Sequence, residues 1–182
     1  LVRKQRSAGA DFIKLMISGI MDFDQFGVLS EPGLAPEEIR QAIRIARDMG
    51  CPVMAHANGA ETVIAAAEAG VDTIEHGAYL TREALEAMRE NNVIWVPTLS
   101  TIGNLRGKGR FNEQSVEKIL KSAMDNVALF ASMGGFVAPG TDAGAWAVPH
   151  GSLTEYALLR QALGPSTEAI LEAGTREIQR KF

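Results

Sequence analysis

The stretch Ala69-Gly70-Val71-Asp72-Thr73-Ile74-Glu75-His76 places the end of an alanine-rich helix directly before a short strand. The same phrase occurs earlier as Ala8-Gly9-Ala10-Asp11-Phe12-Ile13-Lys14, and looser copies lie at 49–56 and 133–138. The glycine suits a helix C-terminus, because it adopts the left-handed backbone that ends many helices. A repeated helix–glycine–strand unit is typical of α/β proteins with a parallel sheet.

Five short strands are predicted from these units and from the apolar runs that follow them. The predicted strands cover residues 12–18, 53–57, 73–76, 93–99 and 136–140. Helical patterns lie at 36–48, 60–69, 81–90 and 113–133, and two more helices open at a capping-box pattern, Ser152 to Glu155, and at Ser166. No linker divides the chain, so the sequence predicts one domain or part of one.

Two architectures fit this alternation of strands and helices. A doubly wound sheet of five strands suits a chain of 182 residues. A complete (β/α)₈ barrel needs roughly 250 residues, so the chain would supply only part of one. The positions of the polar residues distinguish the two architectures.

Composition excludes several classes of protein. Lys and Arg number 18 against 22 Asp and Glu, and the sequence pI is about 5.4, which argues against a nucleic-acid partner. No apolar run approaches the ~18–20 residues of a membrane span. The single cysteine, Cys51, excludes an intrachain disulfide framework and favours a reducing compartment, so a cytoplasmic location is expected.

The three histidines lie at strand ends or in the loop after a strand. His56 and His76 end the second and third predicted strands, and His150 lies in the loop after the fifth. Asp142 stands at the end of the fifth strand. A parallel barrel brings every such end to one face, whereas an open sheet brings together only the ends beside its switch point. This pattern favours the barrel.

Lys14 interrupts an otherwise apolar strand. Burying an ammonium group is costly unless the group is paired or neutralised. Two interpretations stay open at this point. The side chain reaches the mouth of the strand or pairs with a buried acid, or it is a neutral amine that adds CO₂ to give a carbamate, an anionic ligand able to bridge two cations.

Five segments, in this order and spacing, resemble the amidohydrolase superfamily and within it the prolidase-like and imidazolonepropionase-related branch. They are Phe12-Ile13-Lys14, Ala55-His56-Ala57, Ile74-Glu75-His76-Gly77, Val96-Pro97-Thr98 and Gly140-Thr141-Asp142-Ala143-Gly144. The resemblance extends from about Ala8 to Ala173. It implies a (β/α)₈ TIM-type barrel, of which residues 1–182 supply about the last five β/α units as the C-terminal part of a single barrel domain.

The resemblance also implies a binuclear metal centre, most often zinc, in an enzyme that hydrolyses C–N bonds of a small amide, dipeptide or cyclic amide. By position, Lys14 would be the carboxylated lysine that bridges the metals, with its carbamate derived from CO₂. His56 and His76 would be metal ligands from the next two strands. Asp142 would be the aspartate that touches the other metal and moves the proton.

The chain also departs from the family pattern. The His-x-His pair of the first strand has no counterpart, and the first three strands and the small β domain are absent. Because the chain opens on Leu1, we expect a missing N-terminal part. We expect the exposed strand edges to be covered by a homo-oligomer or by that part.

Two other functions remain as alternatives. A non-catalytic, metal-binding half-barrel would act as an assembly or interaction module. A phosphate-binding α/β enzyme is disfavoured, because the final strand lacks the glycine-rich helix start that cradles phosphate.

Four further residues are weaker candidates for substrate contact. His150 and Trp146 follow the final strand, and each has a plainer interpretation as an ordinary loop residue. Arg106 and Arg110 lie in a glycine-rich loop after the fourth strand and are candidates to hold a substrate carboxylate, although the sequence favours a solvated loop there. The long loop at 19–35 is predicted to be a lid over the site.

Overall fold

The computed structural model describes residues 2–144 and 147–182. In chain order its elements are α1 (Val2–Ser7), β1 (Ile13–Met16), α2 (Pro36–Asp48), β2 (Val53–Ala57), α3 (Ala60–Glu68), β3 (Thr73–His76), α4 (Arg82–Glu90), β4 (Ile94–Val96), α5 (Ser100–Gly103), α6 (Glu113–Ser132), β5 (Phe136–Val137), α7 (Thr154–Leu163), a 3₁₀ turn (Gly164–Ser166) and α8 (Thr167–Lys181). Within these ranges no helix is both long enough and apolar enough to cross a lipid bilayer.

The five strands form one parallel sheet in the order β1-β2-β3-β4-β5. In the register, Met16 pairs with His56, and Ala57 pairs with His76 on the next strand. Strand order therefore follows chain order without the reversal that marks a doubly wound sheet. This is the progression of a β/α barrel, and the prediction of five consecutive β/α units of a barrel is confirmed.

The helices pack on the outer face of the sheet through narrow apolar stripes. In α2, Ile39, Ile43 and Ala46 recur at helical spacing and are completely buried. At the other end of the chain, α8 approaches β5 so closely that any side chain at Gly174 would collide with the carbonyl oxygen of Val137. These contacts hold the sheet rigid and leave its carboxyl ends free to carry function.

Three strands are shorter than predicted at their carboxyl ends. β1 ends at Met16, β4 at Val96 and β5 at Val137. Beyond β4, Thr98 has a left-handed backbone with φ 49°, which interrupts the extended conformation that the apolar run suggested. The shortened strands leave room for loops that turn inward over the sheet.

The predicted capping box at Ser152 to Glu155 is wrong. The α7 helix begins at Thr154, and no side chain in the described part of the chain caps it. The Ser152 hydroxyl donates to the Thr154 hydroxyl, 3.0 Å away, while Glu155 turns inward and is fully buried. By contrast, Thr81 caps α4 as predicted, accepting a hydrogen bond from the Ala84 backbone N–H.

Candidate metal and substrate site

The carboxyl ends of the strands border a cavity of about 400 Å³. Four residues singled out from the sequence are part of its wall, namely Lys14, His56, His76 and Asp142. Among the described residues, the wall also includes Met16, Ile20, Met21, Phe23, Asn58, Thr101 and Ala147. The fold therefore brings these four residues, which span 129 positions of the sequence, to one cavity.

His56 lies on β2 and is held by the loop that follows β1. Its Nε2 is 3.3 Å from the carbonyl oxygen of Gly19, which also accepts a hydrogen bond of 3.1 Å from the Asn58 amide. Burial of the ring lowers the pKa of His56, so the imidazole is neutral at physiological pH. With Nε2–H donated to Gly19, Nδ1 keeps an electron pair for a metal ion.

His76 ends β3 and is held through its other ring nitrogen. Its Nδ1 is 2.7 Å from the Thr98 hydroxyl oxygen, and its backbone carbonyl accepts a hydrogen bond of 2.9 Å from the Trp95 indole. Burial, reinforced by His56 and Lys14, lowers the pKa of His76 to about 3. The imidazole is therefore neutral, and when its Nδ1–H donates to the Thr98 hydroxyl, Nε2 keeps an electron pair for a ligand.

The two imidazole rings contact each other edge to face, with their centroids 4.6 Å apart and an angle of 64° between their planes. Each ring has one nitrogen engaged by the protein and the other available to a ligand. Metal-binding histidines in proteins characteristically show this arrangement, because the second hydrogen bond fixes the tautomer and the ring orientation.

A left-handed backbone at three strand ends directs the side chains of the site. His76, Thr98 and Asp142 have φ values of 68°, 49° and 52°. In a regular strand, consecutive side chains point to opposite faces, so His76 would face away from its neighbour Glu75. The left-handed conformation brings both to the cavity side, at a cost of about 1–3 kcal/mol for each such residue.

Lys14 pairs with an acid from another strand. Its ammonium group donates to Glu75, which also accepts a hydrogen bond from the Thr73 hydroxyl. The Lys14 side chain is 43% exposed and Glu75 only 14%. In the structure, the lysine therefore reaches the strand mouth and pairs with a largely buried acid, as the first of the two interpretations predicted.

Asp142 follows β5, and hydrogen bonds fix the position of Thr141, the residue before it. The Ser100 hydroxyl donates to the Thr141 carbonyl oxygen at 3.0 Å, and the Thr141 hydroxyl accepts from the Ala143 backbone N–H at 3.3 Å. These contacts fix the backbone on both sides of Asp142, whose side chain borders the cavity.

The loop at 19–35 closes one side of the cavity. Met21 and Leu29 form an antiparallel bridge within it, and Phe23 packs on Phe111 with ring centroids 5.2 Å apart. The Asp24 carboxylate accepts a hydrogen bond of 2.7 Å from the Asn112 backbone N–H. The loop thus borders the cavity and is attached to the segment before α6, and its role as a lid stays a prediction.

The weaker candidates lie outside the cavity wall or outside the described residues. Arg106 pairs with Glu117, 3.9 Å away, and borders a separate groove beside α6. The Arg110 guanidinium lies 5.5 Å from the centre of the Phe111 ring. His150 is exposed beside Gly144. Trp146 is outside the described residues.

The sequence analysis did not identify the residues whose hydrogen bonds hold the site residues in place. Thr98 holds His76, Asn58 shares Gly19 with His56, and Ser100 holds the residue before Asp142. A threonine, an asparagine and a serine near strand ends carry no distinguishing pattern. Their roles depend on the left-handed turns and on contacts between distant segments.

The donor set fits a divalent metal ion in its chemistry. Two neutral imidazoles with free ring nitrogens and one carboxylate are ligands that suit zinc. Within the described ranges, no three His, Cys, Asp or Glu side chains are yet close enough together to hold a metal ion. His56 and His76 are the candidate ligands whose rings are in direct contact.

Comparison with known proteins agrees with this geometry. Residues 1–176 match the amidohydrolase family. Ochratoxinase of Aspergillus niger is 34% identical over 102 residues, which are 56% of this chain and 21% of that protein. An uncharacterised protein of Mycobacterium tuberculosis is 28% identical over 98% of this chain and 49% of its own length.

A solved structure of a Xaa-Pro dipeptidase with methionine bound in its active site has the same fold. Its TM-score is 0.80 and its sequence identity 29%, over 98% of this chain and 46% of that chain. The chain thus spans half or less of the length of these relatives. The fold and site define a β/α-barrel protein that carries its polar residues at the carboxyl ends of the strands. More particularly, the chain belongs to the amidohydrolase family, as its motifs predicted.

Proposed function

We propose that this chain is the C-terminal part of the barrel domain of a metal-dependent hydrolase that cleaves C–N bonds of a small amide, dipeptide or cyclic amide. The observation that carries the proposal is the pair of contacting neutral imidazoles, His56 and His76, beside Asp142 and Lys14 in one cavity. Family membership supports hydrolysis. Ochratoxinase and the Xaa-Pro dipeptidase, by their names, support a small substrate.

Zinc is the metal ion we propose, bound by His56 through Nδ1 and by His76 through Nε2. When bound, such an ion lowers the pKa of a coordinated water and polarises the carbonyl that is attacked. The contact of His56 with the Gly19 carbonyl sets the tautomer that this binding needs, and the contact of His76 with the Thr98 hydroxyl allows it when Nδ1–H is the donor.

Asp142 is the residue that we propose to move the proton in this reaction. It lines the cavity together with His56 and His76. A carboxylate at this position accepts a proton from the attacking water and returns it to the departing amine. The hydrogen bonds around Thr141 hold the backbone while the side chain does so.

The cavity wall supports a substrate with an uncharged, apolar substituent. Met16, Ile20, Met21 and Phe23 form a continuous apolar side, contributed by β1 and the loop after it. An apolar group placed there is removed from water, which favours its binding.

Zinc binding by the purified chain tests the proposed function. We expect the unaltered chain to bind Zn²⁺, and His56→Ala and His76→Ala each to weaken that binding by at least about 100-fold, since each removes one of the two proposed ligands. Isothermal titration calorimetry measures the affinity. His150→Ala is the matched control, because His150 is exposed and does not border the cavity. Equal affinities in all four proteins would contradict the proposal.

Lys14 is proposed to become a carbamate only when metal is present. Its ammonium group would lose one proton to solvent together with the contact with Glu75. The resulting amine would form a bond from Nζ to the carbon of CO₂ as one C–O π bond opens onto oxygen, and would lose a second proton to solvent, which leaves an anionic carbamate. Without a cation, that anion would lie next to the Glu75 carboxylate, which is unfavourable.

We therefore expect a carbamate signal after the addition of ¹³C-bicarbonate together with Zn²⁺, and no signal with bicarbonate alone. Carbon-13 NMR of the chain measures it, with Lys14→Met as the control for other lysines. A carbamate that persists after the metal is removed would show that Glu75 does not prevent its formation.

We further propose that the open edges of the sheet are covered in the functional protein, by a second copy or by the rest of the barrel. Within the described residues, β1 and β5 each pair on one side only. On the β1 edge, Phe12 and Met16 are 43% and 66% exposed.

A cytoplasmic location is proposed from the single cysteine, Cys51, which is buried as a free thiol.

A further inference from the structure

Glu155 is a buried acid that the proposed reaction does not use. It lies in the first turn of α7 and has no exposed surface. One carboxylate oxygen, Oε2, accepts a hydrogen bond of 2.6 Å from the Ser100 backbone N–H. The other, Oε1, is buried without a hydrogen-bond partner among the described residues. A carboxyl group is costly to bury in this way, so an apolar residue would fill the position more favourably.

The contacts of Glu155 lead to both sides of the candidate site. Ser100, its partner, also donates its hydroxyl to the carbonyl oxygen of Thr141, which precedes Asp142. Two positions before Ser100, Thr98 holds Nδ1 of His76 at 2.7 Å. A single carboxylate thus fixes a turn that contacts one proposed ligand directly and adjoins the backbone of the other.

A purely space-filling role does not explain this arrangement. The Ser100 backbone N–H is buried at the start of α5, where no preceding turn of helix can accept its hydrogen bond. Leu99, the residue before it, has no side-chain acceptor. Glu155 supplies the acceptor from another helix, which joins α7 to the loop after β4.

We propose that Glu155 is a positioning residue that holds the Thr98–Ser100 turn against Thr141 and so sets the placement of His76 and Asp142. This inference rests on the proposed function, because His76 and Asp142 are the groups that are positioned. The acceptor oxygen is the essential feature, so glutamine preserves the role and leucine abolishes it.

The test compares Glu155→Leu, Glu155→Gln and the surface control Glu172→Gln, each as the full chain. Zn²⁺ affinity is measured by calorimetry, and backbone amide exchange at positions 98–101 and 141–142 by NMR. We expect Glu155→Leu to weaken Zn²⁺ binding by about 10- to 100-fold, and glutamine to stay within about threefold of the unaltered chain. Amide exchange at Ser100 and at 141–142 should accelerate in Glu155→Leu only.

A second variant keeps the test decisive if Glu155→Leu does not fold. Ser100→Ala removes the hydroxyl contact with Thr141 and leaves the backbone N–H bonded to Glu155. Faster exchange at 141–142 in Ser100→Ala supports the inference. If exchange there and Zn²⁺ affinity match those of Glu172→Gln, the inference is overturned.

Failure of the proposed function gives a different result. In that case the unaltered chain would not bind Zn²⁺, whereas the exchange rates at 98–101 and 141–142 would still report whether Glu155 holds the two segments together.

Discussion

Glu155→Gln is expected to raise the free energy of unfolding at about pH 8 and to change it little at about pH 4. Burial raises the pKa of Glu155 from its ordinary value of 4.5 to about 7, and hydrogen bonds from Ser100 and Leu99 offset this only in part. The folded chain therefore binds this proton more tightly than the unfolded chain. The stability contributed by the protonated carboxyl is complete below pH 4.5 and is lost as the pH rises to about 7.

The size of the effect follows from the two pKa values. Their difference corresponds to about 3 kcal/mol, at about 1.4 kcal/mol for each pH unit. Glutamine does not titrate, so the difference between the two proteins should grow by that amount between pH 4 and pH 8. Urea unfolding at several pH values measures it. Glu172→Gln, on the exposed side of α8, should show no such growth; a pH-independent difference for Glu155→Gln would mean that the carboxyl is not destabilised by burial.

Trp95→Ala is expected to lower the free energy of unfolding by about 3–5 kcal/mol. Trp95 is completely buried in β4 and packs edge-to-face on Phe130, with ring centroids 5.7 Å apart. Its indole N–H also donates to the carbonyl oxygen of His76. Alanine would leave a large cavity behind the sheet and an unbonded carbonyl at the site.

Trp95→Phe separates the two contributions of the side chain. Phenylalanine fills most of the volume but lacks the donor, so we expect a loss of about 1–2 kcal/mol and weaker Zn²⁺ binding at His76. Urea denaturation followed by circular dichroism measures stability in each variant. Tyr156→Ala, an exposed aromatic on α7, should stay within about 0.5 kcal/mol. If Trp95→Ala cost no more than this control, Trp95 would not be part of the core.

The order of strands and helices could be predicted because the helix–glycine–strand unit is local. Gly9 and Gly70 have φ values of 95° and 86°, the conformation that ends a helix before a strand. The ends of the strands could not be predicted in the same way. The run after β4 is apolar through Leu99, yet Thr98 leaves the extended conformation to contact His76, which is distant in sequence.

The four principal site residues could be found because strand ends converge in a parallel barrel. The burial of Glu155 and its contact with Ser100 could not be predicted from the sequence. Its spacing from Ser152 satisfies a local capping pattern, but burial against Ser100 overrides that pattern in the folded chain. Similarly, nothing local indicates that Lys14 pairs with Glu75, since the two are 61 positions apart.

The left-handed backbone at His76 has a consequence for protein engineering. In an ideal strand only every second side chain points toward the same face. A designer who grafts this site onto a regular sheet would therefore turn either Glu75 or His76 away from it. Transplanting the function thus requires copying the backbone torsions as well as the side chains, with Gly77 retained, because a side chain there would collide with Trp95. Computer searches that score strand positions by alternation alone would reject such a scaffold.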